Sequence, residues 1–152
     1  MALHWLITLE CKTRTDSTPI FIRIDHSIND DDWAEYEKAR NLTPVQMFYA
    51  PVKYAHSRTA PDIGRYTIDV INKRVTAEKL AFLFKRKRRH CYLRTSWGTG
   101  CLLWVQTLVQ DVVNEGYIST ASRDCRKFLS LKGIEKESGP DYYVAPGNGT
   151  FF

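Results

Sequence analysis

The run from Trp97 to Glu115 constrains this chain more than any other, because a Trp-Gly-Thr-Gly turn opens directly into a long apolar stretch headed by a cysteine. From there Cys101, Trp104, Val105, Leu108 and Val112 recur at three- and four-residue spacing, while Gln106, Thr107, Gln110, Asp111 and Asn114 share the other side. That period is a helix with one face in a core. Gly116 is placed for a left-handed cap, so the helix is predicted from Cys101 to Glu115. Gly98 and Gly100 let the backbone turn tightly just before it begins.

A thiol in the first turn of a helix has a physical reason to react, since unpaired N–H groups and the positive end of the dipole favour thiolate over thiol. The same N–H groups can hold an oxyanion. Cys101 also continues a core stripe, and cysteine is among the most buried residue types. Nucleophile and structural thiol are therefore both open readings.

With 152 residues and 43% hydrophobic content, the chain reads as one domain, 1–152, with a proper core. No apolar run reaches the length of a membrane span. The start, Met1-Ala2-Leu3-His4-Trp5, enters a strand pattern with no basic segment and apolar region ahead of it, so no signal peptide and a cytoplasmic location are expected. Four cysteines without a C-x-x-C pair do not form a disulfide framework or a zinc site, and neither a metal nor another cofactor is expected. The net charge of +5 is concentrated in Lys85-Arg86-Lys87-Arg88-Arg89, at the end of a predicted helix, where cations suit the negative end of the dipole. Nucleic-acid binding is the least favoured partner class on this account.

Residues 3–11 alternate, with Leu3, Trp5, Ile7, Leu9 and Cys11 on one face and His4, Leu6, Thr8 and Glu10 on the other. Residues 19–26 alternate as well, setting Ile20, Ile22 and Ile24 against Phe21, Arg23 and Asp25. The polar stretch between them makes the pair a hairpin. Opposed residues share a face, so two registers are allowed: Leu9 against Ile20 with Ile7 against Ile22, or Leu9 against Ile22 with Ile7 against Ile24. In either, His4 and Asp25 are neighbours on one face. A carboxylate beside a histidine orients it and raises its basicity, as a general base requires.

Further along, Asp30-Asp31-Asp32 suits a solvated helix start better than a metal site. Residues 46–55 read as an edge strand or loop interrupted by Pro51. Arg65 to Ile71 reads as a strand with Tyr66, Ile68 and Val70 on one face. Thr76 caps a helix whose Ala77, Leu80, Ala81, Leu83 and Phe84 face inward, Cys91-Tyr92-Leu93 is a short extended segment, and Ser122 caps a last helix with Cys125, Phe128 and Leu129 inward. The tail ends in a short aromatic strand. No nucleotide-binding or hydrolase fingerprint is present.

Taken together, His4-Trp5 on the first strand, Gly98-Thr99-Gly100-Cys101 with Trp104 at the helix start and Gly149-Thr150-Phe151 at the end resemble a fungal family of small proteins of unknown function. Leu102 and Leu103 stand where that family tends to have arginine and an aromatic. A histidine on an early strand ahead of a cysteine opening a helix is also similar to the circularly permuted papain-like enzymes, including the lecithin-retinol-acyltransferase-like ones. That resemblance implies a Cys nucleophile, a His base and a polar third residue.

The expected fold is α+β, an antiparallel sheet packed against the helix that starts at Cys101. The first functional expectation is a cysteine hydrolase or acyltransferase acting on an amide, ester or thioester of a small molecule or peptide. In it Cys101 attacks, His4 takes the proton, Asp25 orients His4, and Trp97, Gly98, Gly100 and Trp104 line the substrate site. The alternative is a non-catalytic binding or interaction module in which Cys101 is structural.

Overall fold

The computed structural model describes residues 5–12, 19–28, 42–53, 65–95, 101–131 and 150–151. Its elements are β1 (Ile7–Cys11), β2 (Ile20–Ile28), β3 (Leu42–Val52), α1 (Ala77–Arg86), β4 (Tyr92–Thr95), α2 (Cys101–Asn114), α3 (Arg123–Leu129) and β5 (Thr150–Phe151). This is an α+β architecture. The strands lie in the order β1-β2-β3-β4-β5, each antiparallel to its neighbours.

Of the two registers the alternation allows, the hairpin adopts the one with Ile7 opposite Ile24 and Leu9 opposite Ile22. Strand β3 is longer than the apolar stretch suggests because it serves two partners end to end. Residues from Val45 to Val52 pair with β2, and Leu42 to Pro44 pair with β4. Pro51 stands opposite Ile22 near the end of β3, where no described strand pairs with the other edge, so its missing N–H removes no ladder bond on that side.

The core gathers Ile24 from the sheet, Leu80, Leu83 and Phe84 from α1, Trp104, Val105, Leu108 and Val112 from α2, and Cys125 and Phe128 from α3. Burying side chains of this size stabilises by about 1.5–3 kcal/mol each, offset by chain entropy. Local signals end the helices as the residues suggest. The Thr76 hydroxyl accepts from the Lys79 N–H at 3.2 Å, and the Ser122 hydroxyl accepts from that of Cys125 at 3.4 Å. Gly116, at φ +70°, closes α2 with bonds from its own N–H to the Val113 carbonyl and from the Tyr117 N–H to that of Val112. That is the Schellman pattern. Arg88 does the same at the end of α1 with φ 55°, its N–H reaching Lys85 and that of Arg89 reaching Phe84.

Two expectations are corrected. Arg65 to Ile71 is not a strand: Tyr66 and Ile68 are half-buried, but Val70 makes only an isolated bridge to Ile118 and is 46% exposed. Alternation was satisfied without a ladder, because Tyr66 packs into an aromatic cluster with Trp5 and Phe128 while the Thr67 N–H donates to the Asp124 carboxylate at 3.0 Å. The second correction is Asp111. Grouped with the polar residues by its charge, it stands seven residues on from Trp104, within about 20° of that ring's side of α2, and it is 3% exposed beneath Arg89 and Lys87 from the chain that leaves α1.

Candidate functional site

Cys101 is the first residue of α2 and is 3% exposed. Three residues on, the same helix face carries Trp104, wholly buried, with its indole N–H donating to the Arg89 carbonyl at 2.9 Å. That bond satisfies the one polar atom of the ring and pins it, so the first turn of α2 is held at a set depth against the sheet.

The sheet residue that meets Trp104 is His26. Its imidazole lies edge-on to the indole, with ring centroids 4.7 Å apart and planes at 83°, and it is 2% exposed. Tyr92, from β4, stands on another side at 6.4 Å between ring centroids. His26 arrives there by alternation: Ile24 faces the core, so the residue two further along β2 faces it too. Cys101 and Trp104 are three apart on one helix face, so the residue that meets the imidazole stands one turn along α2 from Cys101. The signal for His26 was in the Ile20, Ile22, Ile24 alternation, whose next inward position it occupies.

Asp25 is on β2 and 8% exposed, but strand geometry turns its side chain to the other face from His26. Its carboxylate accepts the His26 backbone N–H at 2.8 Å. Asp25 therefore holds the backbone of His26 rather than its ring. His4, Trp97, Gly98 and Gly100 lie outside the described residues. Among the described residues, the structure thus brings Trp104 and His26 together, and Cys101 heads the helix that carries Trp104.

A depression of about 340 Å³ lies elsewhere, beside α2 between Arg89, Thr107, Gln110 and Leu129. Its polar groups are already engaged. Arg89 grips Asp111, and the Gln106 amide donates to the Phe128 and Leu131 carbonyls at 3.0 and 2.9 Å. This is a seam joining α2 to α3 and the end of α1. Among the described residues, no group of three or more His, Cys, Asp or Glu is placed to hold a metal ion. No described helix is long and apolar enough to cross a membrane.

The other buried thiol differs in setting. Burial pushes the Cys125 thiol up from its ordinary value, with Arg126 opposing in part, and burial likewise raises Cys11. Cys125 sits inside a short helix among core residues rather than heading a longer one.

A family model matches the whole chain, residues 1–152. The chain belongs to the family described as a domain of unknown function, DUF7770. The DUF7770 match agrees with the family of unknown function that the His-Trp, Gly-Cys and Gly-Thr-Phe segments resemble. No curated protein and no solved structure matches the chain. Any chemistry assigned to this DUF7770 domain has to be argued from its own side chains.

Proposed function

We propose that this DUF7770 domain is a cysteine-dependent hydrolase or acyltransferase acting on an amide, ester or thioester, with Cys101 as nucleophile and His26, in place of His4, as its base. The observation that carries the reading is the His26 imidazole packed on Trp104, one turn along the same buried helix face from Cys101. A histidine on a sheet strand that precedes the cysteine-headed helix is also the order of the circularly permuted papain-like enzymes, and the fungal origin suggested by the family segments belongs to the same proposal.

In the reaction His26 takes the thiol proton as sulfur bonds to the carbonyl carbon. Backbone N–H groups at the start of α2 stabilise the oxyanion. The imidazolium then protonates the leaving amine, alcohol or thiol, and the acyl–sulfur bond is broken by water or an acceptor that gives its proton back to the imidazole. Asp25 acts as a positioning residue through the backbone bond to His26.

A second reading is favoured by one specific observation. Cys101 is 3% exposed and in line with Trp104, Val105 and Leu108, which suits a structural thiol in a binding module. Alkylation of Cys101 by iodoacetamide across pH, read by peptide mass spectrometry, separates the two. The enzyme reading expects an apparent thiol pKa well below about 8.5 that rises in His26→Asn and not in His4→Ala. A Cys101 that reacts only after urea unfolding, or whose reactivity ignores both histidines, would leave the binding module. A rise on His4→Ala alone would return the base to His4.

A further inference from the structure

Residues 71–90 carry eight Lys or Arg and one carboxylate, Glu78, so this stretch is net +7 in a chain of net +5. Part of that charge is spent within the fold. Arg89 and Lys87 meet Asp111, and Arg86 meets Glu115 at 2.9 Å. Lys73, Arg74, Lys79, Lys85 and Arg88 are exposed and have no carboxylate within 4 Å among the described residues. Among the described residues they are cations without a counter-charge, on one connected segment.

The segment also presents apolar surface outward. Helix α1 spends Leu80, Leu83 and Phe84 on the core, yet Phe82 on its outer side is 65% exposed, the largest exposure among its bulky apolar residues. Helical spacing surrounds Phe82 with Glu78 and Lys79 four and three residues before it and Lys85 and Arg86 three and four after, so cations outnumber the one carboxylate there. The Lys79 ammonium donates to the Arg74 carbonyl at 2.9 Å, which ties the preceding turn, with its cations, to that same outer side. Ile71, before this turn, is 60% exposed.

We infer that the outer side of α1, with the turns that flank it, docks on an anionic phospholipid surface. Unpaired cations would meet the headgroups and Phe82 would enter the boundary with the acyl chains. Cations alone would suit nucleic acid equally. An exposed phenylalanine set among them gains nothing from a phosphate backbone, whereas in a bilayer interface both features are used at once. The inference is independent of the role of Cys101.

The test is co-sedimentation of the full chain with vesicles of phosphatidylcholine alone and of phosphatidylcholine with phosphatidylserine, at low and high salt. Binding is expected only with phosphatidylserine present and is expected to weaken with salt. Lys85→Glu, a change of two charges, should lower the partition by about twenty-five-fold, from about fivefold per charge. Phe82→Ser should lower it by about tenfold while near-ultraviolet circular dichroism stays that of the wild type. Should Phe82→Ser not fold, Lys85→Glu and Arg88→Glu carry the same decision. No binding to phosphatidylserine vesicles, equal binding to both vesicle types, or tighter binding to a duplex DNA oligonucleotide in the same salt would overturn the inference.

Discussion

The Asp111 carboxylate takes a two-pronged grip from Arg89, with Nε at 2.6 Å and Nη2 at 3.1 Å, inside a seam where the aspartate side chain is only 4% exposed. The same arginine offers its carbonyl to Trp104, so one residue leaving α1 holds α2 at two points, about two turns apart on one face.

Removing one partner leaves a charge in poor surroundings. Asp111→Ala is expected to cost about 2–3 kcal/mol, at or below the range for breaking buried pairs because Arg89 is 22% exposed on its side chain. Urea unfolding measures it. The double change Arg89→Met with Asp111→Leu should recover most of the loss, since an apolar pair of similar volume needs no counter-charge. A double variant no better than Asp111→Ala would show that the fork does more than neutralise the aspartate.

Arg88 sits at φ 55° in a position that glycine fills at the end of α2. A side chain there is strained, and the exposed guanidinium has no ion pair among the described residues. Arg88→Gly should therefore raise stability by about 0.5–1 kcal/mol, after allowing for the extra freedom of glycine in the unfolded chain. A fall in the urea midpoint would mean that the arginine makes a contribution the backbone geometry does not explain.

Burial pushes the Tyr49 phenol up to about 12 from 10.0. The hydroxyl lies 3.9 Å from the Met47 sulfur, while the residue as a whole is 38% exposed. Its folded form keeps the proton where an unfolded tyrosine has lost it. The contribution to stability is thus whole below about pH 10 and lost as pH rises from there to about 12. With water so close the effect on stability is small, and the sharper readout is ultraviolet titration. Tyr49→Phe should remove one tyrosinate transition near pH 12, and loss of a transition near pH 10 instead would rule out the shift.

Cys125 is wholly buried and its thiol is raised by that burial, so it offers little thiolate at neutral pH and no path to a reagent. It should stay unmodified by iodoacetamide in the native protein and react once urea unfolds the chain. Modification in the native state faster than global unfolding would reveal local opening of α3.

Local rules made much of this fold legible. The inward stripe of α2, the Thr76 and Ser122 caps, the Gly116 cap and the face parity of the hairpin each depend on residues within a few positions of one another, where helical or strand period decides who points where. Register was half legible. Parity excluded the odd slips, but the choice of Ile7 opposite Ile24 over Ile22 rests on packing beyond the hairpin. The stretch from Arg65 to Ile71 shows the limit of alternation, which says which side chains turn inward and not where backbone N–H groups find acceptors; for Thr67 the acceptor is Asp124, far along the chain.

The candidate site divides along the same line. By itself the sequence determined that Cys101 heads a buried helix and that Asp25 faces away from the inward side of β2, because both follow from short-range periodicity. Only the tertiary structure decided that His26 stands against Trp104 and that Asp111 is buried under Arg89, because each pairing joins elements brought together by core packing, and no local period encodes a partner many residues away.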